Sequence, residues 1–196
     1  MSTELLRKLR CRLDRAALAA LRPLFGFDPW HAAAPYSCRP YKATVVALVN
    51  ELRPALAVEV GCGLGDIISR ISARERYGID VDGGVIRAAR VLHPRGTRWV
   101  QGDAGVVGTV VPGDRTIDCL IMVNWIHNFA ADQLGQWLQP LLPRTRHLLL
   151  DAIDADGPAS YRHKHDFGFL GARARRRSTT HACGEPRSFI LFEVGS

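Results

Sequence analysis

The feature that most constrains this chain of 196 residues is a glycine-rich stretch that begins at residue 61. A short apolar run, Ala57–Val60, leads into alternating glycines at positions 61, 63 and 65, and residues 66–71 then have the apolar spacing of a helix. The pattern predicts a strand, a tight turn and a helix, which is the opening unit of a nucleotide-type α/β fold. Glycine suits such a turn because the absence of a Cβ atom lets the backbone bend sharply and lets a ligand contact the main chain.

The charges beside this turn indicate which kind of ligand it accepts. A diphosphate favours a helix N-terminus without negative side chains, whereas here Glu59 and Asp66 flank the glycines. Two carboxylates suit a ligand with positive charge, such as one that carries an amine and a sulfonium. The sequence therefore argues against a dinucleotide site.

Two further acidic patterns follow the glycine turn at the ends of predicted strands. A second strand ends in Asp80 and Asp82, which lie 19 and 21 residues after Gly61. In dinucleotide-binding folds, an acid about 20 residues past the turn accepts hydrogen bonds from the ribose hydroxyls. We expect Asp80 to have this role and Asp82 to cap the helix that follows. A third strand leads into Gly102-Asp103-Ala104.

Taken together, these three motifs resemble those of class I S-adenosylmethionine-dependent methyltransferases, over about residues 41–194. The resemblance implies an α/β, Rossmann-like methyltransferase fold, with a mostly parallel seven-stranded sheet, an antiparallel last strand and helices on both faces. It also implies S-adenosylmethionine as cofactor, with the carboxylate of Asp103 accepting a hydrogen bond from the amine of the adenine. The residues implied to bind the cofactor are Glu59, Gly61, Cys62, Gly63, Gly65, Asp80, Val81, Asp103, Ala104 and Asn124.

The N-terminal part differs in pattern from the rest, and we divide the chain into residues 1–40, a helix and a lid segment, and residues 41–196, the methyltransferase domain. Residues 4–22 have helical apolar spacing and many basic residues, and Pro23 is expected to break the helix. We predict that this cationic amphipathic helix packs as a cap against the domain, with a membrane-surface role as the alternative. Prolines and aromatic residues after position 23 predict an ordered lid.

The composition of the chain bears on the location of the protein and on the kind of partner it has. Five scattered cysteines, without a Cys-x-x-Cys pair, favour free thiols in a reducing cytoplasm over disulfides. No apolar run is long enough to predict a membrane span. The formal net charge of +7 fits an acidic or nucleic-acid partner, but an arginine-rich composition with no functional meaning is the favoured explanation. We therefore expect a cytoplasmic location and a small-molecule acceptor, and we regard nucleic acid as the less favoured partner.

Histidines near the expected cleft are the candidate catalytic groups, because the pKa of histidine lies near working pH. His127 follows the fourth strand by a few residues, and the carboxyl ends of strands form the ligand-binding edge of such sheets. A structural histidine at a strand end is the equal alternative. His163 and His165 form a second candidate pair, which an extended backbone would place on one face. The alternative for this pair is a solvated loop.

A metal-dependent mechanism would use three residues, Asn124, Asp151 and Asp154, which occupy places loosely similar to the magnesium ligands of catechol-type O-methyltransferases. Magnesium prefers carboxylate ligands, and the position after the fourth strand is an asparagine. The sequence therefore predicts no metal site. Arg39 or Lys42, just before the first strand, is a candidate partner for the carboxylate of the cofactor's methionine part.

The function predicted from these patterns is S-adenosylmethionine-dependent methylation of a small molecule, at a hydroxyl group. Motifs typical of enzymes that methylate amide or base nitrogens are absent after the fourth strand, where the chain has Asn124-Trp125-Ile126-His127. The alternatives are an RNA or protein methyltransferase, suggested by the net charge and the arginines at 173–177, and a non-catalytic cofactor-binding partner protein.

Overall fold

A seven-stranded sheet forms the centre of the protein in a computed structural model, which describes residues 3–154, 157, 161–182 and 184–195. The strands are β1 Leu56–Val60, β2 Glu75–Asp80, β3 Arg98–Gln101, β4 Ile117–Met122, β5 Thr145–Ile153, β6 Ala174–His181 and β7 Arg187–Val194. Their order in the sheet is β3-β2-β1-β4-β5-β7-β6. Strands β1 to β5 pair in parallel, and β7 pairs antiparallel with both β5 and β6. The predicted sheet, with its antiparallel last strand, is confirmed.

Helices cover both faces of this sheet, as predicted. They are α1 Thr3–Phe25, α2 Pro29–Ala33, α3 Tyr41–Glu51, α4 Gly83–Leu92, α5 Val107–Val110 and α6 Ala131–Leu138. Residues of α3 and α4 share one hydrophobic cluster with one face of the sheet. Residues of α5 and α6 share a second cluster with the other face. All five residues of β1 are buried. Because both faces of this strand are covered, its residues are apolar throughout except for Glu59.

Helix α1 lies outside these layers and packs on α4. Leu18 of α1 and Val85 of α4 belong to a third, smaller cluster. The prediction that Pro23 ends this helix is wrong, because α1 continues to Phe25 with Pro23 inside its last turn. The helix ends where Gly26 has a φ of +75° and its amide donates to the carbonyl oxygen of Arg22 at 2.8 Å.

The predicted helix after the glycine turn is also wrong. Between β1 and β2 the chain forms only a single 3-10 turn, Ile68–Arg70. The three apolar residues that suggested a helix, Ile67, Ile68 and Ile71, are buried all the same. The side chain of Arg76 ends the turn, since its Nη1 donates to the carbonyl oxygens of Ser69 and Ile71.

A disulfide bond connects Cys11 of α1 to Cys38, and the prediction that all cysteines are free thiols is therefore wrong for this pair. The bond joins α1 to the single helical turn Tyr36–Cys38, and the two cysteines are 27 positions apart in the sequence. Cys62 and Cys119 are buried free thiols, as predicted, and Cys183 lies outside the described residues. Spacing along the sequence gave no sign of the pairing, because the two cysteines meet only when the lid segment folds back onto α1.

Among the helices that the structure describes, none is both long enough and apolar enough to cross a membrane. The division of the chain at residue 40 and the cytoplasmic location stay predictions.

The order of the strands fixes where a ligand binds. The chain runs outward from β1 in one direction through β2 and β3, and in the other through β4 and β5. In such sheets a crevice opens at the carboxyl ends of the two strands where the direction reverses. Here these strands are β1 and β4, so the glycine turn after Val60 and the segment after Met122 face the same crevice.

We predict that Gly78→Ala lowers the free energy of unfolding by about 1–3 kcal/mol through overpacking. A Cβ at Gly78, in the middle of β2, would lie 2.5 Å from Cζ3 of Trp99 and 3.2 Å from Sγ of Cys62. Urea unfolding monitored by circular dichroism measures the change. The matched control is Gly108→Ala on α5, where a Cβ has no neighbour within 4 Å, and there we expect unchanged or slightly higher stability. Equal stability of the two variants would contradict the packing account.

Candidate functional site

Two adjoining cavities open at the crevice between β1 and β4. The larger has a volume of about 530 Å³ and the smaller a volume of about 60 Å³. Their shared lining residues mark the junction between them: Trp30, His31, Gly61, Val123 and Asn124. The predicted cofactor-binding residues in the larger cavity are Gly61, Asp80, Val81, Asp103, Ala104 and Asn124. Those in the smaller cavity are Glu59, Gly61, Cys62, Gly63 and Asn124. The structure therefore brings together every predicted cofactor residue except Gly65.

The glycines of the turn are required by their conformation and by their neighbours. Gly61, Gly63 and Gly65 have φ angles of +72°, +52° and +82°, values that residues with a Cβ rarely adopt. A Cβ at Gly61 would collide with the ring of Trp125, and one at Gly65 would collide with the ring of Trp99. Gly65 lines neither cavity, and its place in the motif is explained by packing against Trp99.

Asp80 connects the end of β2 to the glycine turn. It is 8% exposed, and its Oδ2 accepts a hydrogen bond from the amide of Gly63 at 2.9 Å. Its Oδ1 accepts from the amide of Asp82 at 3.0 Å. Each carboxylate oxygen has more than one acceptor site, so Asp80 can still accept hydrogen bonds from a ligand in the larger cavity. Asp82 caps α4, as predicted, by accepting from the amide of Gly84 at 2.7 Å.

Asp103 and Ala104 lie at the end of β3, beside an aromatic wall of the larger cavity. Asp103 is exposed, and its Oδ1 accepts from the amide of Gly105 at 2.9 Å. The wall consists of Trp125, Phe129 and Trp137, with ring centroids 4.9 to 5.9 Å apart. An aromatic wall next to a carboxylate and a backbone amide fits a planar heterocycle that has an exocyclic amine.

The acidic groups of the smaller cavity are held in different ways. Glu59 is 2% exposed, its Oε2 accepts from the amide of Ile68 at 2.9 Å, and burial raises its pKa to about 8. Asp66 pairs with Lys42, whose Nζ lies 2.6 Å from Oδ2. The Nζ of Lys42 also donates to the carbonyl oxygen of Ala34 at 2.7 Å. Lys42 lines this cavity, whereas Arg39 stacks on Trp30 and pairs with Glu185.

Helix α2 covers the junction of the two cavities through Trp30 and His31. Asp28 begins this helix by accepting a hydrogen bond from the amide of Trp30 at 2.7 Å. The Nδ1 of His31 lies 3.3 Å from the position that a Cβ at Gly63 would take. Burial lowers the pKa of His31, so the ring is neutral and can accept a proton at neutral pH. His31 could not be assigned from the sequence, because nothing in the lid segment indicates that this short helix packs over the glycine turn.

The three predicted catalytic histidines line neither of the two cavities. His127 is 5% exposed, lines neither cavity, and stacks edge-on against Tyr161 with ring centroids 4.1 Å apart. Burial, followed by Arg187 and His165, lowers the pKa of His127 to about 4. His163 and His165 lie on the same side of an extended segment with their rings stacked 6.1 Å apart. The Nε2 of His165 is 3.2 Å from the carbonyl oxygen of Ile126.

A network centred on Arg187 fixes the backbone at the end of β4. Asn124 has a φ of +72°, its amide donates to Oδ1 of Asp151 at 2.9 Å, and its Oδ1 accepts from Nη1 of Arg187 at 2.9 Å. The guanidinium also lies 3.1 Å from Oδ2 of Asp151 and 2.8 Å from the hydroxyl of Tyr161. Nothing in the sequence indicated this arrangement, because Asn124 and Asp151 lie 63 and 36 positions away from Arg187 along the chain.

The same network bears on the magnesium hypothesis. Asn124 and Asp151 hold the guanidinium of Arg187 between them, and Oδ1 of Asp154 accepts from the hydroxyl of Ser188 at 2.9 Å. Among the described residues, no cluster of three His, Cys, Asp or Glu side chains has the geometry of a metal site. A bound cation at this place would have to displace an arginine that is 2% exposed.

The arginine run at 173–177 lies mostly on β6, the outer strand of the sheet, and lines neither cavity of the crevice. Arg175 pairs with Glu193 at 2.9 Å, and Nη1 of Arg177 lies 3.2 Å from Nε2 of His147. These contacts are exposed, as expected for a charged strand edge that resists pairing with other chains.

Comparison with solved structures places this fold among methyltransferases. The mitomycin 7-O-methyltransferase MmcR superposes with a TM-score of 0.67 at 17% identity, over 88% of this chain and 60% of that one. Magnesium protoporphyrin IX methyltransferase from Synechocystis PCC 6803, solved with bound S-adenosylhomocysteine, gives a TM-score of 0.66 at 16% identity, over 93% of this chain and 100% of that one. TehB from Haemophilus influenzae gives a TM-score of 0.60 at 11% identity, over 78% and 62% of the two chains.

These likenesses show that the chain has the Rossmann-like fold of class I methyltransferases, as the sequence motifs implied. The chain spans about 60% of the length of the mitomycin enzyme. No family model matches the chain, and no curated protein matches it either.

We predict that Glu59→Gln removes a pH dependence of stability. Since burial raises the pKa of Glu59 in the folded state from 4.5 to about 8, the folded protein binds more protons than the unfolded chain between these values. The contribution of Glu59 to stability therefore falls as pH rises from about 4.5 to about 8, by up to roughly 1.4 kcal/mol per pH unit. Urea unfolding at pH 5, 6.5, 8 and 9 should show wild type losing stability relative to Glu59→Gln across this window.

The matched control for this measurement is Glu51→Gln, a change at an exposed carboxylate at the end of α3. It should leave the pH profile of wild type unchanged. Parallel profiles for wild type and Glu59→Gln would mean that Glu59 is ionised in the folded protein.

Proposed function

We propose that the protein is an S-adenosylmethionine-dependent methyltransferase that acts on a small molecule, at a hydroxyl group. The observation that carries the proposal is the convergence of separate motifs on one pair of cavities: Asp80 after β2, Asp103 after β3, and Glu59 with the glycine turn after β1. These groups lie far apart in the sequence, and each has the chemistry for a different part of one ligand.

The residues present fit S-adenosylmethionine along the length of the two cavities. Asp103, the amide of Ala104 and the aromatic wall suit an adenine, and Asp80 suits two ribose hydroxyls. The smaller cavity contains carboxylates for an ammonium and Lys42 for a carboxylate. When bound, S-adenosylmethionine supplies an electrophilic methyl group on a sulfonium, and the protein supplies alignment and the exclusion of water.

The junction of the cavities is where an acceptor would be activated. Trp30, His31 and Asn124 line it, and the fixed backbone of Asn124 gives this wall a defined shape. Because His31 is neutral at neutral pH, its ring can take the proton of a hydroxyl as the oxygen becomes a nucleophile. His127, the predicted first candidate, lines neither cavity and stacks edge-on against Tyr161. It is better placed to orient Tyr161 and the Arg187 network than to reach an acceptor.

We predict that Asp80→Asn weakens binding of S-adenosylhomocysteine at least about tenfold, because charged acceptors contribute about 1.5–3 kcal/mol per hydrogen bond. Asparagine keeps the size of the side chain but loses one acceptor oxygen. Isothermal titration calorimetry with the wild type and the variant gives the ratio of dissociation constants. Asp114→Asn, a change at an exposed loop carboxylate, is the control and should bind as wild type. Absence of binding by the wild type would refute the proposed function.

We predict that His31→Asn lowers turnover of a hydroxyl acceptor roughly 100-fold, the usual contribution of a general base, while the affinity for S-adenosylhomocysteine changes less than threefold. A panel of phenols, alcohols and amines, scored by release of S-adenosylhomocysteine from S-adenosylmethionine, first identifies an acceptor. His127→Asn is the comparison variant, and it should retain more activity than His31→Asn. Lower activity of His127→Asn than of His31→Asn would assign the general base to His127 instead. Release of S-adenosylhomocysteine with amines alone would contradict the proposal of a hydroxyl acceptor.

A further inference from the structure

Helix α1 contacts the rest of the protein along one narrow side only. The residues of that side recur every three or four positions, and they are buried or half-buried: Cys11, Asp14, Leu18, Leu21 and Phe25. Among them only Leu18 is fully buried, at 9% exposure. The other sides of this 23-residue helix are open to the surroundings.

The opposite side of α1 is apolar. Leu6, Leu9 and Leu13 are 47%, 49% and 62% exposed, and Leu24, at the last turn, is 75% exposed. Two exposed alanines, Ala16 and Ala20, continue the same helical face between Leu13 and Leu24. Since residues three and four apart lie on one face of a helix, these leucines and alanines form one continuous stripe, which we call the leucine face. Contiguous exposed apolar surface of this kind marks an interaction site.

The charges beside the leucine face indicate what it binds. Helical geometry places Lys8 and Arg12 along one flank of the face and Arg10 along the other, and all three are exposed. The helix as a whole has six basic and two acidic residues. An apolar stripe with exposed cations on both flanks is the pattern of a helix that lies in the surface of a bilayer, with cations at the level of anionic headgroups.

Charge also discriminates between the candidate occupants of the leucine face. A second copy of this chain would bring two helices with a net charge of +4 each into contact, which is unfavourable at the flanks. An anionic lipid surface complements both the apolar stripe and the flanking cations. We propose that α1 docks the protein on anionic lipid bilayers through the leucine face, and this proposal does not depend on the methyltransferase function.

Docking of this helix would also fix the position of the lid. Three interactions join α1 to the segment that covers the crevice. One is the disulfide between Cys11 and Cys38. The others are hydrogen bonds, from the Ser37 hydroxyl to Oδ2 of Asp14 at 2.6 Å and from Arg15 to the carbonyl oxygen of Ala33 at 3.0 Å. A bilayer bound to α1 therefore holds the covering segment at a fixed distance from the lipid surface and in a fixed orientation to it.

The test is sedimentation of the full chain with vesicles. Vesicles of phosphatidylcholine and phosphatidylglycerol in a 3:1 ratio should bind the wild type at least about tenfold more strongly than vesicles of phosphatidylcholine alone, and 0.5 M NaCl should weaken this binding. The double variant Leu9→Gln/Leu13→Gln should lose at least about tenfold in vesicle affinity, since it removes two apolar side chains from the buried face. Val91→Gln, at an exposed apolar residue of α4, is the matched control and should bind as wild type.

The outcomes separate the proposal from its rivals. Thermal unfolding monitored by circular dichroism establishes whether the leucine variant is folded. If it is not, Arg10→Gln/Arg12→Gln replaces it, with the same expected loss of affinity for anionic vesicles. Failure of the wild type to bind anionic vesicles, or equal binding by wild type and variants, overturns the proposal. A wild-type dimer in analytical ultracentrifugation that Leu9→Gln/Leu13→Gln dissociates would assign the leucine face to a second copy instead.

Discussion

The crevice depends on a buried ion pair between Arg187 and Asp151, which are 2% and 1% exposed. Charges this far from water are tolerated only when their hydrogen-bonding groups have partners. Here the partners are the side chain of Asn124 and the hydroxyl of Tyr161, and the guanidinium also lies over the ring of Tyr41 at 4.6 Å. The pair therefore connects the ends of β4 and β5, the start of β7 and the first residue of α3. Loss of Arg187 would leave Asp151 as a buried charge without its cationic partner, whereas loss of Asp151 would leave Arg187 with Glu185, whose Oε2 lies 3.5 Å from Nε.

The antiparallel strand β7 explains how this pair arises. A parallel strand would present its carboxyl end at the crevice, whereas β7 runs in the opposite direction and brings its first residue, Arg187, to that edge beside Asp151 at the end of β5. The last strand of the fold thus contributes a long cationic side chain from its amino end. The left-handed backbone of Asn124 is held on both sides by this pair, which gives the wall between the cavities a fixed shape.

The sequence predicted the parts of this site that depend on local spacing. The glycines, Asp80 and Asp103 each follow a short apolar strand, and parallel strands bring their carboxyl ends to one edge, so the contacts follow once the sheet is assumed. His31, Arg187 and Trp125 could not be assigned in this way, because each is placed at the crevice by a contact with a residue more than 30 positions away along the chain. These contacts are with Gly63, Asn124 and Val60, respectively. The helix expected after the glycine turn failed for another reason. Apolar spacing indicates which residues are buried, but a 3-10 turn buries Ile67, Ile68 and Ile71 as well as a helix would.

The disulfide shows the same limit of local information. Cysteine spacing predicted free thiols, and Cys62 and Cys119 agree with that prediction, whereas Cys11 and Cys38 meet through the packing of the lid segment on α1. Only the fold of residues 26–40 brings the two sulfur atoms together.

The state of Glu59 has a consequence for how the smaller cavity responds to a cation. With a pKa of about 8, this carboxyl is mostly protonated near neutrality, and Asp66 is balanced by Lys42. The charges of the side chains that line this cavity therefore nearly cancel. An ammonium group that enters it favours the ionised carboxylate, so each molecule bound near pH 7 would expel a fraction of a proton into the solvent. The heat of such binding would then vary with the ionisation enthalpy of the buffer, and the apparent affinity would rise with pH until Glu59 is ionised in the free protein.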